Sequence, residues 1–451
     1  MKILILGGGA VGALVAKRLI RERNEVIIVE ADAARCEELE DQLDAKIVQG
    51  DAASIKTLER AGLITADMLI AVTSSDQTNI LGCLIAQAFS NIRIKVARLR
   101  THEVERWRSI CSSKLLGVDL VIHPDSETVE RILQVIGLPG VSEIISFADG
   151  KVQLFGMRID SQSPLIGKKI QDLAVPGEDL RFLVSMIFRE GRVIIPRGED
   201  ELRRGDQIYV ILPQEAMDSV FELFGLERRK KVQRVFVVGG KQLGIEAALR
   251  LEQQGVQVKL FEKDFERCQM ISTLVKNTVV VHGDGTDQQL LAEENIAGID
   301  AYLALTGEDE VNILACMLAK RMGCRKGIAL VNRIDFLPMT QLLGISSTFS
   351  TRLVVVDRIL QYIRKGRVVS VTTFREDEAE AIELVATSGS KYIGRRLRDV
   401  EFPRGALVGA IVRPTGEVEV PRGDSVIQLD DRVIFFCRED VVAKLERAFI
   451  Y

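Results

Sequence analysis

The chain has 451 residues, of which 47% are hydrophobic and 27% charged, and its net charge at pH 7 is −4. That length exceeds one ordinary domain and predicts about three or four of them. The charge balance excludes a global electrostatic attraction to nucleic acid or to an anionic membrane, and no apolar stretch reaches the roughly 18 residues that cross a bilayer. The start of the chain has no signal-peptide pattern, so we expect a cytoplasmic protein.

The first 140 residues alternate between apolar strands and amphipathic helices. The strands are predicted at 3–6, 25–30, 45–50, 67–73, 92–100 and 118–124, and the helices at 11–23, 34–43, 54–62 and 76–89. Continuous Ile, Val and Leu strands separated by such helices indicate a parallel sheet covered on both faces. Six strands of this kind predict a Rossmann-type α/β fold.

The first strand leads into the glycine-rich phrase LGGGAVG, which fits G-x-G-x-x-G. In such a loop Gly7 permits the turn, Gly9 lets the backbone approach a pyrophosphate, and Gly12 lets the helix pack on the strand. The N-terminus of the helix then faces the phosphates. Glu30 ends the second strand, where a carboxylate binds ribose hydroxyls and repels a 2′-phosphate, so NAD(H) is favoured over NADP(H).

Further polar residues follow the carboxyl ends of the strands, where ligands of open parallel sheets bind. Asp51 follows the third strand, and Thr73 and Ser74 follow the fourth. Asp51 is a ligand-binding residue, a helix N-cap or both, and Ser74 is a ligand-binding residue, a turn residue or both. Arg98 and Arg100 leave the fifth strand, and each is either a phosphate ligand or a solvated surface arginine.

The chain contains an internal repeat. The glycine phrase recurs as VGGKQLG at 238–244, and TSSDQTNILGCLIAQ at 73–87 recurs as TGEDEVNILACMLAK at 306–320. So many identities at a nearly constant offset indicate that each half of the chain carries its own Rossmann-type domain.

A second repeat follows the first, because SPLIGKKIQDL at 163–173 resembles SKYIGRRLRDV at 390–400. The order is therefore A–B–A–B. We expect Rossmann-type A domains at 1–140 and 232–367 and small α+β B domains at 141–226 and 368–451, with 227–231 as a charged linker. Within the first B domain, REGRVIIPRGED at 189–200 predicts a β-hairpin.

The cysteines and histidines predict no disulfide framework and no metal site. The seven cysteines are odd in number and include no C-x-x-C pair, which indicates reduced thiols. The cysteines at 36 and 83 recur at 268 and 316, which favours core packing for all four. The three histidines show no metal-ligand spacing; they are His102, His123 and His282.

The sequence around the nucleotide site shows no evident catalytic residues. A dehydrogenase needs a group that moves a proton beside the nicotinamide, and the sequence has no Tyr-x-x-x-Lys pair. His123 is the one candidate, and it has no counterpart in the second A domain. The sequence therefore favours a nucleotide sensor over an enzyme; the alternatives are a soluble NAD-dependent oxidoreductase and a purely structural scaffold.

These motifs resemble those of a known family. The A domains, with MKILILGGGAVG, GDAASIKTLERAGL and VARLR, resemble the RCK or KTN domains that regulate potassium channels and transporters. The B domains, with PLIGKKIQDL, resemble the C-terminal partner domains of that family. The A–B–A–B order is similar to that of the regulatory subunits of Trk potassium-uptake systems, and the resemblance covers nearly the whole chain.

The resemblance implies a non-enzymatic cytosolic protein, peripheral on the inner face of the cell membrane, that docks under a Trk-type potassium-translocating membrane subunit. It implies a homo-oligomer, either a dimer or a tetramer of chains, and no nucleic acid partner. NAD(H), with ATP or ADP as alternative ligands at the same site, is expected to bind the first A domain and to bias a ring of domains. The family pattern falls on Gly7, Gly8, Gly9, Ala10 and Val11 for phosphates, on Glu30 for ribose, and on Thr73, Ser74 and Arg98 near the nucleotide, and the residues themselves add Gly12 and Asp51.

The second A domain departs from the pattern at one position. It matches the family pattern at Gly239, Gly240, Glu262, Asp284 and Thr306. Lys241, however, stands where the first domain has Gly9, and a side chain there is expected to crowd a pyrophosphate and to restrict the backbone. We therefore expect a second fold kept for assembly, with a weakened or lost site; the alternative is that Lys241 turns aside and pairs its ammonium with a phosphate.

Overall fold

The apolar runs at the start of the chain form one parallel sheet in the computed structural model, which describes residues 1–101, 104–112, 116–161, 163–173, 182–226, 231–345, 347–363, 370–374 and 379–450. The strands are β1 (Lys2–Leu6), β2 (Glu25–Glu30), β3 (Lys46–Gln49), β4 (Met68–Ala71), β5 (Ile94–Arg98) and β6 (Leu120–Ile122). The helices between and after them are α1 (Ala10–Arg21), α2 (Ala33–Gln42), α3 (Ile55–Arg60), α4 (Asp76–Phe89), α5 (Val104–Cys111) and α6 (Pro124–Val135). The strand order β3-β2-β1-β4-β5-β6 confirms the predicted Rossmann-type fold.

The first B domain is an antiparallel sheet. Its elements are β7 (Val141–Phe147), β8 (Val152–Arg158), β9 (Leu183–Arg189), β10 (Arg192–Ile194), β11 (Gln207–Pro213) and α7 (Met217–Leu223), with the strand order β10-β9-β11-β8-β7. The predicted hairpin is confirmed, because β9 and β10 pair in antiparallel register across Glu190 and Gly191. Both turn residues have positive φ, 49° and 80°, as a two-residue type I′ turn requires.

The second A domain repeats the first. Its elements are β12 (Arg234–Val238), α8 (Gln242–Gln253), β13 (Gln257–Glu262), α9 (Phe265–Leu274), β14 (Val279–His282), α10 (Gln288–Glu293), β15 (Ala301–Ala304), α11 (Asp309–Arg321), β16 (Lys326–Leu330), α12 (Leu337–Leu342), β17 (Ser347–Phe349) and α13 (Thr351–Ile363). Its parallel sheet has the order β14-β13-β12-β15-β16-β17. The second nucleotide-binding phrase therefore lies in the same structural context as the first, between a central strand and the next helix.

The second B domain repeats the antiparallel sheet. It comprises β18 (Ser370–Phe374), β19 (Ala379–Val385), β20 (Ala406–Val412), β21 (Val418–Glu419), β22 (Arg432–Arg438) and α14 (Glu439–Ile450), ordered β18-β19-β22-β20-β21. The two B sheets share one apolar core, in which the rings of Tyr209 and Phe374 lie 4.8 Å apart. Arg432 adds a polar link, since its guanidinium pairs with Glu383 and with Asp149 of the first B domain at 2.6 Å. The fold class of two parallel-sheet domains, each followed by a small α+β domain, is confirmed.

Helices α13 and α6 pack wholly or partly against an A domain other than the one that precedes them in sequence. The chain forms one compact unit from Met1–Thr128 with Ser350–Ile363, and a second from Val129–Phe349 with Arg364–Tyr451. In the first unit, Val355 and Ile359 of α13 pack on the sheet face that Ile3 and Ile5 of β1 present. In the second unit, the residues of α6 from Val129 onward pack against the core of the second A domain.

Candidate nucleotide-binding site

Two glycines of the first phrase are fixed by the protein itself. Gly7 has φ 100°, and a Cβ there would lie 2.9 Å from the Thr73 Cα. A Cβ at Gly12 would lie 1.9 Å from the Gly7 carbonyl oxygen, which belongs to the backbone and cannot move aside. Any side chain at Gly12 therefore separates α1 from β1, and the close helix–strand contact that the phrase predicts is present.

Gly9 is different, because nothing in the protein requires a glycine there. It is the N-cap of α1 with φ −64° and ψ −174°, an ordinary extended conformation, and a Cβ at this position meets nothing within 4 Å. Ala10, exposed, and Val11, buried, begin the helix, whose first turn carries no acidic side chain. The first N–H groups of a helix have no intrahelical partners and carry partial positive charge, so this open space suits an anion.

The Glu30 carboxylate is held in place beside the loop. It accepts hydrogen bonds from the backbone N–H groups of Gly8 at 2.7 Å, Ala31 at 2.8 Å and Asp32 at 3.0 Å. Arg35 of α2 adds a bond from Nε to the Gly8 carbonyl at 2.9 Å. The end of β2 and the glycine loop are thus joined through one oriented, half-buried carboxylate, where a ribose-binding acid is expected.

The carboxyl end of β4 is organised by a buried amide. The Asn79 Oδ1 accepts from both the N–H and the hydroxyl of Thr73 at 2.8 Å, and its Nδ2 donates to the Thr73 carbonyl at 3.1 Å. The same Nδ2 donates to the Arg98 carbonyl at 2.8 Å. Asn79 is fully buried, so these bonds fix the ends of β4 and β5 relative to each other.

Arg98 lies behind this edge and is not a solvated surface arginine. It is 7% exposed, and its Nη2 donates to the Thr73 carbonyl at 2.7 Å. Burial, with a smaller contribution from Arg100, lowers the pKa of Arg98 to about 10. Arg100 is exposed, and its backbone N–H donates to the Asp76 carboxylate.

Asp51 and Ser74 lie at the same edge without joining this network in the described residues. Asp51 is not a helix cap: its Oδ1 accepts from the N–H of Ala53 at 2.8 Å, and Ser54 caps α3 instead. Ser74 is exposed, and the neighbouring Ser75 caps α4. The structure therefore brings together Gly7, Gly8, Glu30, Thr73 and Arg98 by direct contacts, with Gly9, Ala10 and Ser74 open to solvent around them.

The second A domain repeats this geometry closely. Glu262 accepts from Gly240 N at 2.7 Å, and Gly239 has φ 106°. Asn312 bonds to Thr306 and to the Leu330 carbonyl at distances within 0.1 Å of those in the first domain. Leu330 takes the place of Arg98, so the second site lacks the buried guanidinium.

Asp284 carries an additional charge pair. Lys263 Nζ lies 3.0 Å from its carboxylate, and the N–H and hydroxyl of Thr286 donate to it at 2.8 Å. Although burial opposes the shift, these hydrogen bonds and the nearby ammonium lower the pKa of Asp284.

Lys241 does not restrict the loop, so that part of the expectation is wrong. It is the N-cap of α8 with φ −78° and ψ 177°, close to the values at Gly9. Its side chain is exposed, and its ammonium lies beside Gly307, where a Cβ would be 2.5 Å from Nζ. The loop of the second domain thus keeps the backbone path of the first.

The histidines in the described residues are held by local contacts. His123 is 1% exposed, its Nε2 contacts the Thr101 carbonyl, and its Nδ1 lies 3.1 Å from the Ser126 hydroxyl. His282 contacts the Lys263 carbonyl at 3.0 Å. His102 lies outside the described residues, as do 227–230 of the predicted linker. All seven cysteines are buried and none forms a disulfide, and the described residues hold no group of three metal-ligating side chains.

Asn79, Asn312 and Arg35 belong to the two sites, although the sequence did not predict them there. A signal for the two asparagines exists: both lie six residues after the threonine in the 73–87 and 306–320 repeats. The repeat predicted the fold, but the spacing alone does not show that each asparagine side chain hydrogen-bonds to the ends of two neighbouring strands.

Two domain families match the chain, each in two copies. The TrkA-N domain matches residues 3–124 and 235–351, and the TrkA-C domain matches 154–225 and 381–450. The chain belongs to the TrkA family. Among TrkA-family relatives, proteins named Trk system potassium uptake protein TrkA are 38% identical in Vibrio alginolyticus, over 97% of this chain and 95% of theirs, and 35% identical in Azorhizobium caulinodans, over 100% and 98%.

Solved structures support the fold of this TrkA-family chain. The crystal structure of the GsuK RCK domain matches with a TM-score of 0.61 at 17% identity, covering 100% of this chain and 95% of that one. The GsuK channel bound to NAD matches with a TM-score of 0.62 at 16% identity, covering 100% and 79%. No helix among the described residues is both long and apolar enough to span a membrane.

Proposed function

We propose that this chain is a nucleotide-binding regulatory subunit that gates a Trk-type potassium-uptake subunit in the membrane. The names of its relatives, which match over nearly their whole length, support the potassium-uptake role. The observation that carries the nucleotide role is the Glu30 carboxylate. It is oriented by three backbone N–H groups beside a glycine loop and an open helix N-terminus.

The proposed ligand of the first site is NAD(H), with ATP or ADP as alternatives. The helix α1 N-terminus, from Gly9 to Gly12, would bind phosphates, and Glu30 would bind the adenosine ribose. Thr73 and Ser74 would line the second half of the cleft, with Asp51 at the ribose side and Arg98 supplying positive potential from behind. Structures named as NAD-bound and ADP-bound GsuK support both ligand classes for this fold.

The proposed role is regulatory and not catalytic. His123, the one candidate for proton transfer, is buried and held between Thr101 and Ser126, which argues against its access to a nicotinamide. A nucleotide shifts the equilibrium between two conformations only by the difference between its affinities for them, so two nucleotides with different affinities produce different equilibria. We infer that nucleotide identity at the first site biases a ring of these domains and thereby potassium conductance.

The remaining parts of the proposal concern assembly. We propose that the chain comprises A domains at 1–140 and 232–367 and B domains at 141–226 and 368–451. Two or four such chains would form the ring, on the cytoplasmic face of the membrane and in contact with the potassium-translocating subunit. The doubled TrkA-N and TrkA-C domains support a ring built from both halves of each chain.

Glu30→Ala tests the proposal. The variant should weaken NADH binding by calorimetry about tenfold or more, because a charge-assisted acceptor is lost, and should abolish nucleotide control of potassium uptake in cells that depend on this chain. Glu25→Ala is the matched control, since Glu25 lies exposed at the other end of the same strand. Loss of binding with regulation intact would contradict the regulatory role, and cofactor turnover with a substrate would favour the oxidoreductase.

A further inference from the structure

The two A domains differ at a pair of positions that lie beside each other in the second domain. In the first domain, the loop has Gly9 and the end of β4 has Ser74; in the second, the loop has Lys241 and the end of β15 has Gly307. The exchange is complementary in volume, because the Lys241 ammonium lies 2.5 Å from where a Cβ at 307 would be. Compared with the first domain, the second lacks a side chain after the strand and has a positively charged side chain in the loop.

The lysine spans the cleft at the point where a dinucleotide has to pass. The strands β12 and β15 are neighbours, and the order of the sheet reverses between them. A dinucleotide in such a fold extends its adenosine on one side of this point and its second nucleoside on the other. With its backbone in the loop after β12 and its ammonium beside Gly307, three residues after β15, Lys241 occupies the path to the second side.

The adenosine side of the second cleft is intact. The Glu262 carboxylate accepts from Gly240 N at 2.7 Å and from Asp264 N at 3.0 Å, as Glu30 does in the first domain. The nearby Asp284 is paired with Lys263 at 3.0 Å, so part of its negative charge is compensated. Helix α8 follows its N-cap Lys241 and has no acidic side chain in its first turn. The second cleft thus keeps a carboxylate suited to ribose and a helix N-terminus suited to phosphate, and Lys241 adds a positive charge.

We propose that the second site binds nucleotides that end in a phosphate, of the ADP and ATP class, and excludes dinucleotides. Lys241 is the residue that determines this specificity: its ammonium pairs with the terminal phosphates and blocks the second nucleoside. This inference rests on the proposed function in one respect: that the glycine loop of an A domain binds a nucleotide. One chain then carries a dinucleotide-accepting site and a mononucleotide site, and a ring of such chains responds to both ligand classes at once.

Calorimetry on the full chain with ADP and with NADH tests the inference. We expect two ADP but only one NADH per chain, with Glu262→Ala removing one ADP. The double variant Lys241→Gly, Gly307→Ser copies the first site and should bind two NADH. Lys241→Met keeps the length without the charge, so ADP binding at the second site should weaken about tenfold to a hundredfold while NADH stays at one.

Two NADH per wild-type chain, or no ADP at the second site, would overturn the inference. If the chain binds a single ADP and Glu30→Ala removes it, the first site remains as proposed and only this inference fails. If ADP binds solely at the second site and NADH binds nowhere, the first-site proposal fails and this inference stands. Should the double variant misfold by circular dichroism, the wild-type stoichiometries and the Lys241→Met titration decide the question.

Discussion

The side-chain amide of Asn79 and the backbone and hydroxyl of Thr73 are joined by three hydrogen bonds of 2.8, 2.8 and 3.1 Å. Asn312 and Thr306 repeat the arrangement at 2.9, 2.7 and 3.1 Å. An uncharged amide fills this role because it donates and accepts at once inside a dry core. These hydrogen bonds fix the residues that follow the central strand in each A domain.

Asn79→Ala should destabilise the first A domain by about 3 kcal/mol, because buried donors and acceptors lose their partner. The chain has one tryptophan, Trp107, which packs against the core of this domain and reports its unfolding in urea. The matched variant Asn312→Ala changes the same contact in the other domain and should leave the Trp107 fluorescence midpoint unmoved. Equal midpoints for Asn79→Ala and the wild type would contradict the structural role.

Substitution by alanine should change the free energy of unfolding at Gly12 but not at Gly9. Gly12→Ala places a methyl group 1.9 Å from the Gly7 carbonyl oxygen and should lower the free energy of unfolding by about 3 kcal/mol or more, again read from Trp107. Gly9→Ala adds a methyl group in open space at an ordinary backbone conformation and should leave the fluorescence midpoint within experimental error. Similar losses in both variants would show that the loop geometry is not as described.

Glu30 should set the preference for an unphosphorylated ribose. The wild-type chain should bind NADH at least about tenfold more tightly than NADPH, since a carboxylate at this position repels a 2′-phosphate. Glu30→Gln retains the carbonyl acceptor for Gly8 N and removes the charge, so the ratio of the two dissociation constants should narrow. An unchanged ratio would mean that another residue contacts the ribose.

Lys326 should make stability depend on pH. It is 1% exposed and donates from Nζ to the carbonyls of Leu138 at 3.1 Å and Val141, and burial lowers its pKa to about 7. The unfolded chain has an ordinary lysine pKa near 10.4, so between about pH 7 and 10 the unfolded state binds more protons. The free energy of unfolding should therefore rise with pH in this window, by up to about 1.4 kcal/mol per unit.

Lys326→Met provides the comparison for that pH dependence. The variant lacks the titrating amine, so its free energy of unfolding should not show the rise between about pH 7 and 10 that Lys326 causes. From pH 7 to pH 9 the calorimetric melting temperature of the wild type should rise relative to that of the variant. Parallel changes in melting temperature would refute the assignment of the slope to Lys326.

Periodicity and spacing predicted much of the fold. The predicted and observed bounds agree at 25–30 and 76–89, and the predicted hairpin turns at Glu190 and Gly191. The helix Val104–Cys111 was not predicted, although Val104, Trp107 and Cys111 have the i, i+3, i+7 spacing of an amphipathic helix. For the site, the glycine phrase and Glu30 followed from their spacing, whereas Arg98 was left open between phosphate ligand and surface residue.

The repeated A–B–A–B architecture can be predicted from the amino-acid sequence, since strand and helix periods are local properties that each segment carries alone. The folded chain alone shows that Val355 and Ile359 of α13 pack in the first unit while Val129 and Ile132 of α6 pack in the second. An apolar helix face encodes burial but not its partner, because the hydrophobic effect is non-directional. The position of the Lys241 ammonium is likewise a tertiary fact, fixed by the space that Gly307 leaves.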